Sequence, residues 1–166
     1  ETRPDDGKYS DILMNSYVSV KSAINTSRAN IQARVPSKNV NGVIISFLKQ
    51  SDQSSFTENS YQLADYPGFD SVKYLFNSSQ NKYITYNIVS KSEALRRGLD
   101  ALTDAGYNRC NGHKIVRNNG LVMGLPFDGS IDLSSEKFAI ELNSSSSIFN
   151  TSQYNVYMYF LTTIKM

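Results

Sequence analysis

The sequence of 166 residues predicts an all-β sandwich, and three observations support this fold class. First, the last third of the chain contains short apolar runs, which cover residues 120–127, 136–142 and 154–164. Second, segments rich in Ser, Asn, Gly and Asp separate these runs, as turns separate strands. Third, Tyr and Phe supply all the aromatic side chains, and these residue types favour strands.

Length and composition narrow the class of protein further. A chain of this length can bury a substantial core in one domain, and we expect that domain to span residues 12–166. Residues 1–11 combine charge, Pro and Gly without apolar periodicity, which predicts a flexible N-terminal arm. The formal net charge of +2 is too small to indicate nucleic-acid binding by electrostatics.

Cysteine content and hydropathy exclude two further classes. The single cysteine, Cys110, excludes a disulfide framework within the chain. No run of about 18 apolar residues is present, so we expect no transmembrane span. Because the chain starts at Glu1 rather than Met, we expect a processed product or a piece of a longer protein.

Apolar patterning predicts the first strands in order. Two short alternating segments lie at residues 17–20 and 31–35, the second ended by a proline. Residues 43–48 (VIISFL) are apolar on both faces, which is typical of a central, buried strand. After a polar loop, residues 69–76 alternate again and predict a hairpin with residues 84–88 through an Asn-rich turn.

One helix is predicted after this hairpin. Ser90 and Glu93 have the spacing of a capping box, in which the serine binds the first amides and the glutamate reaches back to the cap. Gly106 supplies the left-handed stop. Leucines at helical spacing form the expected apolar stripe: Leu95, Leu99 and Leu102.

The final strand is apolar on both faces. One face is expected to lie in the core and carries Val156, Met158 and Phe160. The opposite face carries Tyr157, Tyr159 and Leu161. Aromatic side chains are enriched in the cores of interfaces, so these last three residues are our candidate inter-subunit or inter-roll surface.

The sequence offers few groups for catalysis or metal binding. Cys110 and His113 could supply two ligands or a nucleophilic pair, but no second Cys or His completes a zinc site. Asp128 and Asp132 flank Gly129 and could bind calcium, although the pattern does not match an EF-hand and is more typical of a turn. We therefore expect no metal, no cofactor and no enzymatic activity.

The segment order resembles the jelly-roll capsid proteins of the double-jelly-roll lineage of DNA viruses, in particular those of polintons, polinton-like viruses and virophages. The resemblance rests on NGVIISFLKQSD (41–52), FDSVKYLFNSSQNKYITY (69–86) and LVMGLPFDGSIDLSSEKFAIEL (121–142). The Tyr-rich ending QYNVYMYFLTTIKM (153–166) is similar to the closing strand of that family. Such proteins normally have several hundred residues, so this chain would be one of two rolls, a processed piece, or a smaller penton or minor coat protein.

The resemblance implies a jelly roll of about eight antiparallel strands with one inserted helix. It implies a structural coat protein that assembles with copies of itself, a second jelly roll or other capsid proteins. A trimer or pseudo-hexameric capsomer in a virion, built in the host cytoplasm or nucleus, is the expected product. The loops at 49–68 and 106–119 are expected to make contacts. The cluster of Lys91, Arg96 and Arg97 could touch packaged nucleic acid, but a solvated helix face is favoured.

Two other functions stay open at this point. A carbohydrate- or receptor-binding sandwich, such as a spike head or lectin-like adhesin, would cluster Tyr61, Tyr66 and Tyr107 in one exposed cleft. A hydrolase on the same scaffold would need His113 beside two carboxylates in a pocket.

Overall fold

The computed structural model describes most of the chain, and its strands follow the sequence pattern closely. The described residues are 13–53, 69–77, 83–88, 90–104, 106, 123–135, 137–145 and 153–165. The strands are β1 (Leu13–Ile24), β2 (Arg28–Ala33), β3 (Val40–Lys49), β4 (Ser71–Asn77), β5 (Tyr83–Ile88), β6 (Met123–Ile131), β7 (Lys137–Asn143) and β8 (Tyr154–Lys165). The helices are α1 (Gln50–Gln53) and α2 (Lys91–Asp104).

The eight described strands form two four-stranded antiparallel sheets. The first sheet has the order β1-β8-β3-β6 and the second has the order β2-β7-β4-β5. In each sheet the chain returns from a distant segment to lie beside an early strand, which is the double Greek-key arrangement of a jelly roll. The predicted fold class is therefore confirmed, and α2 is inserted between β5 and β6 as expected.

Strand β3 has the central position that its sequence predicts. It lies between β8 and β6, and Val43, Ile45 and Phe47 point into the sandwich with at most 2% exposure. The alternate residues Ile44 and Leu48 are half-buried on the outer face of the sheet. The apolar character of both faces thus reflects a strand that is covered on both sides.

Aromatic rings fill the space between the two sheets. Phe138 on β7 lies at the centre of this cluster, and its ring centroid is 5.2 Å from those of both Phe76 and Phe160. Phe160 belongs to the first sheet, so this contact joins the two layers. Tyr74 is also fully buried beside Phe138, and burial raises the pKa of its hydroxyl group. The interior is therefore a packed core built from both sheets.

The start of α2 agrees only in part with the predicted capping box. The Glu93 amide donates to Ser90 Oγ at 3.2 Å, so Ser90 is the N-cap. The Glu93 carboxylate, however, accepts a hydrogen bond from Arg97 Nε at 3.3 Å, one turn further along the helix. The prediction that Glu93 reaches back to the cap is wrong because an i, i+4 ion pair orients it forward.

Replacing Ser90 with Ala is expected to lower the free energy of unfolding by about 1 kcal/mol, because the amide of Glu93 loses its capping acceptor. Urea unfolding followed by circular dichroism measures this change. Ser92→Ala is the control, since it removes the exposed hydroxyl 3.4 Å from Ser90 Oγ and leaves the capping hydroxyl itself in place. Equal effects of the two substitutions would contradict the capping role.

The buried stripe of α2 differs from the predicted one. Ala94, Gly98 and Ala101 are the buried residues of the helix, whereas the three predicted leucines are half-buried beside them. A Cβ atom at Gly124 on β6 would lie 3.3 Å from Gly98 Cα and 3.4 Å from Ala101 Cβ. The helix approaches β6 so closely that only small side chains fit between them, and the leucines are displaced to the flank.

Two loop predictions also change. The predicted loop at 49–68 begins with the short helix α1. The predicted Asp128–Gly129 turn lies within β6, where Gly129 has a φ of +94° and the β3–β6 register shifts.

Asp132 accepts hydrogen bonds from the backbone and hydroxyl of Ser134, and these bonds hold the pKa of its carboxyl group below its usual value. Its carboxylate therefore stabilises the turn after β6.

Several predicted features lie outside the described residues. They are the N-terminal arm (1–11), most of the two contact loops, Tyr61, Tyr66 and Tyr107, and the Cys110–His113 pair. Within the described part of the chain, neither helix has the length and apolar character needed to cross a membrane.

Candidate functional site

The predicted surface of β8 lies on the outer face of the first sheet. Met158 and Phe160 point inward and have no exposed surface, so the intervening Tyr157 and Tyr159 must point away from the core. On the neighbouring strand β1, Tyr17 faces the same side and is 60% exposed. We refer to Tyr17, Tyr157 and Tyr159 as the tyrosine face.

The three rings of the tyrosine face are held by cross-strand contacts. Strand register pairs Ser19 with Tyr159 and Lys21 with Tyr157. Tyr17 meets Tyr159 diagonally, edge to face, with ring centroids 5.9 Å apart and planes inclined by 73°. The Lys21 ammonium group lies 5.6 Å from the centroid of the Tyr157 ring, within the range of a cation–π contact. The rings are thus fixed in place while part of their surface stays exposed to solvent.

Helix α1 fixes one side of the tyrosine face. Gln53 Nε2 donates to the Tyr157 hydroxyl oxygen at 2.6 Å. The same amide accepts a hydrogen bond from Asn155 Nδ2 through its Oε1 atom at 2.9 Å. Both ends of the Gln53 amide are therefore used, and the polar edge of the Tyr157 ring is held against the end of α1.

Leu161, the third predicted residue, is placed differently from the two tyrosines. It lies on the same face of β8 but is only 8% exposed. Its side chain packs over Gly42 on β3, with Cδ1 3.6 Å from the position of a Cβ there. Leu161 therefore has little surface left to offer a partner, and the exposed aromatic surface extends instead across β8 to Tyr17.

The local environment favours the neutral form of the Tyr159 hydroxyl group. Burial raises the pKa of Tyr159, and the neighbouring phenols of Tyr157 and Tyr17 raise it further. A raised phenol pKa means that the hydroxyl stays protonated at neutral pH and can both donate and accept hydrogen bonds. The one charge within the contacts described here is the ammonium group of Lys21.

Polar and helical structure also borders the tyrosine face at one end of the sheet and towards β6. At one end of the sheet, Asn41 Nδ2 donates to Thr163 Oγ1 and its Oδ1 accepts from Ser130. Towards β6, helix α2 covers the outer face. Gly106, which has a φ of +84° just beyond that helix, lies near Asn15 of β1. The aromatic surface thus lies on β1 and β8 and reaches the edge strand of the sheet.

Sequence reasoning found the two half-buried tyrosines of this face, Tyr157 and Tyr159, and missed the exposed Tyr17. The signal for Tyr17 is the alternation of β1, where Tyr17, Ser19 and Lys21 share one face. The pairing of β1 with β8 brings the tyrosines together. It joins segments about 140 residues apart, and no local sequence pattern indicates it.

The chemical groups of the described residues indicate what the tyrosine face can contact. Among them, no three His, Cys, Asp or Glu residues lie close enough to hold a metal ion. The tyrosine face offers apolar ring area and hydroxyl groups, and the ammonium group of Lys21 lies beside it. Such a surface can be buried against another protein or can stack on a planar ligand.

Comparison with known proteins gives a similarity of fold. No protein-family model matches the sequence, and no curated protein matches it. Among solved structures, the chain is similar to the major capsid protein P2 from Bacteriophage PM2, with 10% sequence identity and a TM-score of 0.45. The match covers 92% of this chain and 45% of that chain, so the chain spans less than half the length of the capsid protein. At this identity the likeness concerns the fold alone, and no function follows from it.

Proposed function

We propose that this chain is a structural coat protein, or one roll of a coat protein, that self-assembles into a virion shell. The proposal rests on the jelly-roll strand order, together with an interior that is filled by packed aromatic side chains. Jelly rolls recur in viral coats, lectins and cupins, so the fold narrows the function to a few classes. The choice among these classes depends on whether a binding site can lie between the two sheets or on the outer surface of the protein.

The filled interior argues against a ligand site inside the sandwich. A cupin-like protein binds its metal or substrate between the sheets, where this chain places Phe76, Phe138 and Phe160 in mutual contact. The outer surfaces then remain available for binding, and the tyrosine face is a partly exposed aromatic patch on one of them. Its contacts would be made with copies of the chain, a second jelly roll or other coat proteins.

In this proposal residues 12–166 form one jelly-roll domain without enzymatic activity. Tyr157 and Tyr159 supply the centre of an inter-subunit or inter-roll contact, and Tyr17 extends it. Leu161, on the same face of β8, packs over Gly42 at the margin of this contact. More specifically, we propose that the chain assembles into a trimer or pseudo-hexameric capsomer of the polinton or virophage type. The virion is the expected location.

The proposal is tested by the solution mass of the purified chain, measured by light scattering, with negative-stain images of the same fractions. We expect trimers or larger rings for the unaltered chain. Changing both Tyr157 and Tyr159 to Ser should shift the mass to that of the monomer, because the exposed ring area of the contact is removed.

Leu75→Ala is the matched control for this pair of substitutions. Leu75 is half-buried on the second sheet, so its truncation removes apolar area away from the tyrosine face. This variant should assemble like the unaltered chain. A chain that stays monomeric at every concentration, or a Tyr157/Tyr159 variant that assembles normally, would contradict the proposal.

A carbohydrate- or receptor-binding role is the second candidate, and one observation favours it. The tyrosine face presents an aromatic platform in which Tyr17 is 60% exposed, and such a platform would suit stacking on a sugar ring. Glycan-array binding that is lost on changing Tyr17 to Ala, in a chain that remains monomeric, would favour this role over assembly.

A further inference from the structure

Strand β1 is a long edge of the first sheet. It has 12 residues and pairs along its whole length with β8 on one side only. Among the described residues no strand pairs with its other side. The unpaired side of such a strand presents a row of backbone N–H and C=O groups that fit another strand edge.

The middle of β1 has a nearly palindromic sequence. Residues 16–22 read Ser-Tyr-Val-Ser-Val-Lys-Ser, and Ser19 is the centre of the palindrome. Reading outward from Ser19, the two sides match as Val18 with Val20, Tyr17 with Lys21, and Ser16 with Ser22. Only the Tyr–Lys pair differs in residue type, and a tyrosine ring and an ammonium group attract each other.

We propose that β1 pairs with β1 of a second copy, antiparallel, about a twofold axis at Ser19. In an antiparallel pair about this axis, each residue lies opposite the one at the matching distance on the other side of the palindrome. Two four-stranded sheets thereby become one continuous sheet of eight strands. This pairing deepens the proposed self-assembly and rests on it, since it names one contact through which copies join.

The proposed register places complementary side chains together on both faces of the joined sheet. On the outer face, Lys21 lies opposite Tyr17 of the second copy, so its ammonium group approaches that ring as well as its own Tyr157. On the inner face, Val18 lies opposite Val20 of the second copy. Both valines are half-buried at the margin of the core, and the pairing completes their burial.

Shifting the register loses this complementarity. A register centred two residues earlier, on Tyr17, places Ser16 opposite Val18 and Lys21 opposite Leu13. A register centred two residues later, on Lys21, places the two Lys21 ammonium groups directly opposite each other, which is destabilising. Registers centred on Val18 or Val20 place Tyr17 opposite Ser19 or Ala23, so only the register about Ser19 places Tyr17 opposite Lys21.

Disulfide cross-linking tests the pairing and its register in a Cys110→Ser background. In the proposed dimer the two Ser19 Cα atoms are about 4.5–5.5 Å apart, within the range that a disulfide spans. Ser19→Cys should form a covalent dimer under mild oxidation. Tyr17→Cys and Lys21→Cys should each give little dimer alone, because identical positions are about 14 Å apart along the strands. A mixture of these two variants should cross-link, since the two cysteines lie opposite each other.

A charge substitution tests the same contact without oxidation. Ser19→Lys places two ammonium groups together on the axis and should weaken dimerisation at least about tenfold in sedimentation equilibrium. Gln32→Lys is the control, because Gln32 is equally exposed on the edge strand β2 of the other sheet.

The outcomes separate this inference from the proposed function. Cross-linking at Ser19 together with the mixed pair would support the β1 contact, whether or not shells form. Assemblies that form normally while Ser19→Cys gives no covalent dimer would overturn the β1 contact and leave the coat function in place. Dimers that cross-link but never enlarge would support the contact and contradict the shell.

Discussion

Replacing Phe138 with Ala is expected to lower the free energy of unfolding by about 3–5 kcal/mol. Phe138 has no exposed surface and contacts rings from both sheets, so its removal leaves a cavity where the two layers meet. Domains of this kind have a total stability of about 5–15 kcal/mol, so the variant should be close to its unfolding threshold. Urea unfolding, followed by far-ultraviolet circular dichroism, measures the change.

Tyr17→Ala is the control for Phe138→Ala, because it removes a ring of similar size from an exposed position. The cost of this control should be below about 1 kcal/mol. A Phe138 variant that loses less than about 1.5 kcal/mol would mean that the two sheets close over the gap, contrary to a tightly packed interior.

The second large effect is expected at Gly124. Replacing Gly124 with Ala should destabilise the protein by about 2–3 kcal/mol, because the added methyl group meets atoms that cannot easily move. Its Cβ would lie 2.6 Å from the Val43 carbonyl oxygen and 3.3 Å from Gly98 Cα. The first atom belongs to the β3–β6 ladder and the second to the buried stripe of α2, so strand pairing and helix docking are both strained.

Hydrogen exchange of the α2 amides measures the effect at Gly124 directly, since a displaced helix opens more often. Gly129→Ala is the matched control. Its φ of +94° makes alanine unfavourable there, but no atom lies within 4 Å of the new Cβ. Both variants should lose stability, but only Gly124→Ala should accelerate exchange in α2. Equal exchange in the two would show that helix packing does not depend on the glycine.

Local patterning predicted most strands of this protein because burial on one face of a strand leaves a period of two in the sequence. In β4, the alternation of Val72, Tyr74 and Phe76 gave the correct buried face. The β3 segment was placed correctly in the interior of a sheet, since apolar residues on both faces require cover on both sides.

The errors arose where contacts between distant segments override local preference. A leucine stripe normally marks the buried face of a helix, but the close approach to Gly124 selects Ala94, Gly98 and Ala101 instead. The capping-box pattern predicts that the Glu93 carboxylate binds the start of α2, whereas its ion pair with Arg97 orients it along the helix. Tyr17 entered the candidate surface only through the pairing of β1 with β8, for which no local signal exists.

The pairing of β1 with β8 also sets the order in which the protein can fold. The two strands match over 12 residue pairs, and β8 in turn lies between β1 and β3. During synthesis β1 and β3 leave the ribosome long before the strand that separates them exists, so the first sheet closes only after β8 is released. Folding that depends on such distant partners is slow, and until β8 arrives β1 and β3 lack the strand that joins them and present unpaired edges.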